Sequence, residues 1–494
     1  MIILRIIEKF LIIYFVSYFL IDLLLYVIFI FSAFKTKKRT IKNFSHDDYS
    51  VSIIVPAYNE EVTITDCIEM LNQLDYENYE LIIINDGSTD GTLNILLEKY
   101  PHVRFNHENG NTVINTKTIR GIWRVEGLNL LILDKENGGK ADAINAGINT
   151  STKKYICTVD ADSILDKGAL TKVMEQFITY PETFVSGGQL ASANEVILKD
   201  NKVYSLKMPK NIWILWQIVE YIKSFLISRV GLGKFNSLLV MSGAFSVFKK
   251  DDLLAVGGYL SAQNDHTYIL QTVGKKRKTL CEDMEIVVRL WRYYHEQKRK
   301  TKAIFLPQPV CWTEMPENPR NLYKQRVRWH TGLAESLFFH LDMLFDPKFK
   351  ATGLFAMPYY FFFELFSPIV KVLALIFIIW GSVIGLLNTS WLIMLIISTT
   401  LITAVITSTM TVITEYWSYK QDAVNREALR FRSLSDWLIL MGSSILGDFS
   451  YSFYRTYAQL IGLIHFSIKK STWNKFERKG VKHYENQKFK FTKH

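Results

Sequence analysis

A run at 10–31 spans 22 residues and contains a single charge, Asp22. About 20 apolar residues are enough to cross a hydrocarbon core of about 30 Å, so this run predicts a membrane helix over 1–34. Lys35, Lys37, Lys38, Arg39 and Lys42 follow at once, and basic residues beside a span stay on the cytoplasmic side. A cleavable leader is the competing reading, but the run is too long for one and no small-residue cleavage site follows it. A carboxylate in lipid is costly, so Asp22 is either a working group or a charge turned toward another helix or water.

Apolar sequence returns late in the chain. Residues 359–387 are apolar apart from Glu364 and Lys371, 391–413 carry no charge, and 437–468 are interrupted at Gly447-Asp448. The tail 469–494 holds nine Lys/Arg against two Glu, which also predicts a cytoplasmic position. Two cytoplasmic ends require an even number of crossings between them, whereas three apolar stretches are visible. Either 437–468 is a hairpin broken around Asp448, or the Pro358/Pro368 region holds an extra element. The expected map is therefore an anchor at 1–34, a cytoplasmic domain at 50–345, a membrane bundle at 354–468 and a basic tail at 469–494. Within the domain, 212–230 and 330–345 are expected to lie along the membrane surface, with a buried core helix as the alternative for the first.

The formal charge of +11 comes from 58 Lys+Arg against 47 Asp+Glu, and the basic clusters sit beside apolar runs. That placement favours a membrane surface over nucleic acid, and no recognised nucleic-acid-reading motif is present. Cys67, Cys157, Cys281 and Cys311 are dozens of residues apart. A CxxC metal or redox centre and a disulfide scaffold are both excluded.

Between the apolar ends the pattern changes. Val51-Ser-Ile-Ile-Val55 reads as a strand, and Ile64, Cys67, Ile68, Leu71 and Leu74 form the stripe of an amphipathic helix. Leu81 to Ile84, Leu130 to Leu133 and Tyr155 to Val159 repeat the strand pattern. Alternating strands and helices predict an α/β fold, Rossmann-like, with a mainly parallel sheet. Ligands bind such sheets beyond the carboxyl ends of the strands, and there lie Asn59 and Glu60, then Asp86, then Asp134, then Asp160-Ala161-Asp162.

Asp160 and Asp162 flank one alanine, so extended backbone sends both carboxylates to the same side. Two hard oxygen donors suit Mg²⁺ or Mn²⁺ sharing a substrate diphosphate; a solvated Asp turn is the plain alternative. Asn137-Gly138-Gly139-Lys140 offers backbone amides and one cation to an anion, without the spacing of a Walker loop. Asp283, in Cys281-Glu282-Asp283, is either a helix cap or a general base. Gln325-Arg326-Val327-Arg328-Trp329 combines guanidiniums suited to phosphate with an indole suited to a sugar face; a basic surface helix is the alternative.

Taken together, IVPAYNE at 54–60, INDGSTDGT at 84–92, NGGKADAIN at 137–145, VDADS at 159–163, SGAFSVFKK at 242–250, CEDME at 281–285 and QRVRW at 325–329 resemble the membrane-embedded, processive members of glycosyltransferase family 2. That group includes the cellulose, hyaluronan and poly-N-acetylglucosamine synthases. The resemblance implies a GT-A nucleotide-sugar fold and an inverting transferase that polymerises UDP-N-acetylglucosamine or UDP-glucose into a β-linked polysaccharide, extruded through its own helices. It implies Asp86 at the uridine, Lys140 near the nucleotide, Asp160 at the nucleotide or its diphosphate, and Asp162 with Asp160 on a Mg²⁺ or Mn²⁺ ion. Asp283 is implied as catalytic base, although Cys281 stands where the family usually has Thr. Gln325, Arg326 and Arg328 are implied at the diphosphate, with Trp329, Ser242 and Gly243 on the acceptor side. The implied partners are the UDP-sugar, the growing polysaccharide and membrane lipid. Control by a cyclic dinucleotide would require a regulatory membrane subunit, because the stretch after the last apolar segment is too short for a receptor domain. The alternatives are transfer of one sugar to a membrane lipid, and a catalytically inactive export scaffold.

Overall fold

A computed structural model describes residues 2–35, 48–105, 113–199, 202–274, 277–385, 387–421, 430–469 and 482–483. Most of the basic cluster after the first helix and nearly all of the basic tail therefore lie outside the described residues.

Helix α1 (Ile2–Lys35) leads into a domain built from β1 (Val51–Ala57), α2 (Ile64–Leu71), β2 (Tyr79–Asp86), α3 (Thr92–Lys99), β3 (His102–Arg104), β4 (Ile119–Val125), β5 (Leu130–Lys135), α4 (Lys140–Thr150), β6 (Tyr155–Val159), β7 (Ile164–Leu165), α5 (Ala169–Thr179) and β8 (Thr183–Ser192). A small hairpin, β9 (Val196–Lys199) and β10 (Lys202–Leu206), precedes α6 (Ile212–Glu220), which runs through a π-helical turn (Tyr221–Ile227) into α7 (Ser228–Lys234). Then come β11 (Phe245–Lys249), α8 (Lys250–Ala255), α9 (Thr267–Thr272), α10 (Glu282–Glu296), β12 (Lys302–Thr313) and α11 (Pro319–Phe339).

The main sheet has ten strands in the order β3-β4-β5-β2-β1-β6-β11-β8-β12-β7. The four strands read from sequence, β5, β2, β1 and β6, are its parallel centre. The expectation of a mainly parallel sheet fails beyond β6, where β11 enters antiparallel to both β6 and β8. Pro56 lies within β1, yet it costs no ladder bond on the β6 side, because pairing with β6 stops at Ile54. The sheet opens at that carboxyl end, which is where the polar motifs collect.

Two described helical segments are long and apolar enough to cross a membrane, Leu4–Phe29 and Thr389–Ile413. A third results if the π-helical turns before α12 (Ser367–Val383) and α12 itself, bent by 48°, count as one span. The second segment belongs to α13 (Thr389–Gln421), followed by α14 (Leu434–Phe449) and α15 (Tyr451–Ser467). At 16 and 17 residues, α14 and α15 are each shorter than a straight span of about 20. The break falls at Ser450, two residues beyond Asp448. Among the described residues the chain thus bends before α12 and breaks after α14.

The 212–230 segment joins the main core through Ile222, Leu226, Ile227 and Val230, as the buried-helix alternative expected, and it also meets the apolar helices. Trp216 donates through Nε1 to the Ser443 carbonyl at 2.7 Å, and a Cβ at Gly447 would lie 2.9 Å from that indole. Lys223 in the π-helical turn meets Asp22 of α1 at 3.0 Å. Asp22 is therefore paired against a neighbouring helix, which answers the cost of a lone carboxylate in lipid. The second expected surface helix, 330–345, is mainly the continuation of α11, crossing α15 at Gly462, where a Cβ would come within 2.9 Å of His330.

Candidate active site

The end of β2 shapes the first part of the site. Asp86 takes Lys135 Nζ at 2.7 Å and the Gly138 amide at 3.0 Å on one oxygen, and the Gly139 amide at 2.8 Å on the other. Lys135 also contacts Asp142 at 2.6 Å, with both side chains fully buried. Removing one partner of such a buried pair costs about 3–5 kcal/mol, so Lys135 fixes the 136–139 loop. Gly139 has φ 88° and Gly87 has φ 65°, where a Cβ would lie 2.8 Å from the Asn137 amide; the loop closes onto β2 only without side chains there. Asp86 is 3% exposed and about three of its four acceptor positions are filled. Through these bonds Asp86 holds the 136–139 loop that faces the cleft.

The second part joins four segments. Lys140, at the start of α4, contacts Asp160 beyond β6 at 2.6 Å and Glu282 at 3.2 Å, and it donates to the Gly243 carbonyl at 3.4 Å. Asp283, in the first turn of α10, accepts from the Gly243 amide at 3.2 Å and from its neighbour Met284 at 2.9 Å. Ser242 turns inward, accepting from the Ala244 amide at 3.2 Å. Burial opposes the charge of Lys140, but the Asp160 and Glu282 carboxylates more than offset it and hold the ammonium above the usual lysine range. Burial first and the Glu282 charge second push the Asp283 carboxyl up to about 6, against the opposing pull of Lys140 and Arg229. A carboxyl with that value, if it serves as the base, would be mostly protonated and idle below pH 6. The rate at low donor concentration should therefore rise with pH through a midpoint near 6 and level off above it. A flat profile between pH 5 and 8 in initial-rate assays would remove the assignment.

Helix α11 supplies the third part. Arg326 and Arg328 are two residues apart, about 200° around a helix, and point to opposite sides. Arg326 is 3% exposed; it pairs with Glu220 of α6 at 2.7 Å and donates to the Tyr451 hydroxyl at 3.2 Å. It therefore points toward α6 and α15, where the Glu220 carboxylate, rather than a diphosphate, neutralises it. Arg328 keeps to the other side, while Trp329, three residues on from Arg326, shares the Arg326 side, with the guanidinium 4.3 Å from its ring centre. The charge of Arg328 acts on the Cys281 thiol, and Cys281 donates to the Trp329 carbonyl at 3.6 Å. Burial and the two neighbouring carboxylates push that thiol well above its usual range, so Cys281 packs as a neutral group and the departure from Thr leaves the carboxylates in place.

Residues 52–253 match the family described as Glycosyl transferase family 2, and residues 155–414, more than half of the chain, match Glycosyl transferase family group 2. The chain belongs to that group. It is a glycosyltransferase, and the mixed sheet with its polar carboxyl edge is the GT-A-like fold of the family. Among curated proteins, it is 27% identical over 308 residues to a poly-beta-1,6-N-acetyl-D-glucosamine synthase of Staphylococcus epidermidis, covering 62% of this chain and 60% of the relative. It is 25% identical over 324 residues to the protein of that name in Staphylococcus aureus strain COL, covering 65% and 62%. The match thus spans about three fifths of the relatives' length. Among solved structures, a mannosyltransferase from Pyrobaculum calidifontis, determined with GDP-Man and Mn²⁺, superposes with a TM-score of 0.52 at 16% identity, covering 94% of this chain and 100% of that one; this likeness concerns the fold.

The carboxylates of this glycosyltransferase fit a divalent ion in one way only. Among the described residues no group of three or more His, Cys, Asp or Glu side chains is placed to hold a metal. Asp160 and Asp162 supply two hard oxygen donors beyond β6, both half-buried. Such a pair suits an ion that takes its remaining ligands from a diphosphate and water.

Several residues that make these contacts carried little signal in the sequence. Glu282 was inside a motif but overshadowed by Asp283. Lys135 stood between two expected features without a pattern of its own. Glu220, Tyr451 and Arg455 lay in apolar stretches, where the charges at 220 and 455 were the available signal.

Proposed function

We propose that the chain is a processive, inverting glycosyltransferase that builds a β-linked polysaccharide from UDP-N-acetylglucosamine. The observation that carries this reading is the meeting of Lys140, Asp160, Gly243, Glu282 and Asp283 at one point of the cleft. The named activity of the staphylococcal relatives favours N-acetylglucosamine over glucose.

In this reading Asp283 takes the proton from the acceptor hydroxyl, and the freed oxygen attacks the anomeric carbon opposite the departing UDP. Gly243 orients the carboxylate through its amide. Lys140 lies beside both Asp160 and Glu282, where a nucleotide phosphate would exchange for one of them. Arg328 faces the diphosphate, whose growing charge it steadies, and Trp329 offers a face to the acceptor sugar. Asp160 and Asp162 would hold Mg²⁺ or Mn²⁺, which when bound neutralises charge on the leaving diphosphate.

The polymer would pass toward the membrane alongside the packed α11–α15 pair, not between the two helices, which touch at Gly462. Gln325 Oε1, Arg328 Nε, Arg455 Nε and Gln459 Oε1 are buried without hydrogen-bond partners, and orphaned polar atoms of this kind suit the hydroxyls of a sugar chain. In this reading the chain is a multi-pass protein of the cell membrane, with an anchor at 1–34, a cytoplasmic transferase at 50–345, a bundle at 354–468 and a basic tail at 469–494.

The test is to incubate the purified full chain in lipid nanodiscs with each labelled UDP-sugar and Mg²⁺, size the product and digest it with linkage-specific glycosidases. A high-molecular-weight product from UDP-N-acetylglucosamine, lost on adding EDTA and restored by Mg²⁺ or Mn²⁺, is expected. A labelled lipid alone would sink processivity and favour single-sugar transfer.

A further inference from the structure

We propose that Glu220 is a positioning residue for the acceptor platform: by fixing the Arg326 guanidinium it sets the plane of the Trp329 indole. This rests on the reading of Trp329 as the acceptor-side surface.

Three elements meet at the Glu220 carboxylate. One oxygen pairs with Arg326 of α11 at 2.7 Å and accepts the Tyr451 hydroxyl of α15; the other pairs with Arg455 of α15 at 3.1 Å. All these partners are buried or half-buried, so water competes little and the bonds fix direction as well as distance. The Arg326 carbon between its nitrogens lies 4.3 Å from the centre of the Trp329 ring. A guanidinium at that distance is held over the ring by its quadrupole and by stacking.

The rest of the indole's surroundings depend on the same carboxylate. Glu220 ends α6, and the π-helical turn beginning at the next residue brings Phe225 within 5.7 Å of the Trp329 ring and Tyr221 within 6.4 Å. The indole thus rests against one cation and two aromatic rings, and all three are tied to Glu220, the cation by an ion pair and the rings by chain connection. π-helical turns lack the regular register of an α-helix and often occur at working sites; here the turn needs an anchor at its start, and Glu220 supplies it. The carboxylate bonds to none of Lys140, Asp160 or Asp283, so its influence on the reaction runs through the acceptor side. A displacement of about 1 Å at a reacting group can cost about a hundredfold in rate, so loss of the anchor should register in acceptor handling.

The test measures product length and UDP-N-acetylglucosamine KM for the full chain in nanodiscs, as Glu220→Gln, as Trp329→Ala and as the double variant. Glu220→Gln is expected to shorten the polymer about tenfold while the donor KM moves less than about twofold, and in the Trp329→Ala background its further effect should fall below about twofold, as for two residues acting in series. An unchanged length, a donor KM rising in step, or an equal effect in both backgrounds would overturn the proposal and leave Glu220 a structural residue. If Glu220→Gln does not yield folded protein, Arg326→Lys keeps the buried charge but loses the planar fork, and the same split is expected. Wild-type protein that makes no polymer from any UDP-sugar would refute the proposed function instead.

Discussion

Asp283→Asn is expected to lower sugar transfer by about 10²- to 10⁴-fold, the range that a positioned general base contributes, while binding of UDP by calorimetry stays close to wild type. An amide cannot take the acceptor proton, yet its oxygen can still accept from the Gly243 amide that now orients the carboxylate at 3.2 Å. The pocket should therefore keep its shape, and the loss should appear in kcat. The variant should also lose the rise in rate expected near pH 6, which this account assigns to the Asp283 carboxyl. Elongation at the wild-type rate would show that another group is the base.

The second large effect separates the two arginines of one motif. Arg328→Ala is expected to lower kcat by about 10²- to 10³-fold, the loss seen when one stabiliser of developing negative charge is removed, with thermal stability near wild type. Arg326→Ala should do the reverse to stability, because it strips Glu220 of the ion-pair partner at 2.7 Å, and breaking such a buried pair costs about 3–5 kcal/mol. Thermal unfolding and initial rates of the two purified variants distinguish them. A stable, inactive Arg326→Ala beside an unstable, active Arg328→Ala would invert the orientation of α11.

This pair also marks where the sequence stopped being legible. The strands at the centre of the sheet were readable because β1, β2, β5 and β6 are buried on both faces and carry near-continuous Val, Ile and Leu. The carboxylates at their ends followed from the rule that ligands gather there. Five letters, QRVRW, could not say which arginine faces the cleft, because that depends on α6 and α15, more than 100 residues away in either direction. β11 was hidden for a related reason: a short apolar strand looks the same whether it enters a sheet parallel or antiparallel. The buried lysine partner of Asp86 was not legible, since it comes from β5 and has no motif around it. The 437–468 stretch was read as one interrupted unit, and the break indeed falls beside Asp448, where a Gly-Asp-Phe-Ser run weakens both apolar character and helix.

The account turns on Asp283 standing directly against the loop before β11, although 40 residues of chain separate Gly243 from it. A Cβ at position 243 would lie 3.4 Å from the Asp283 Cβ, close to the spacing of a disulfide, about 3.5–4.5 Å. The decisive measurement is oxidation of full-length protein carrying Gly243→Cys and Asp283→Cys in a Cys281→Thr background, followed by alkylation and peptide mass spectrometry. A single intramolecular 243–283 disulfide formed in most molecules is the predicted result. Both cysteines remaining separately alkylated under conditions that oxidise an exposed control pair would contradict the convergence on which the mechanism rests.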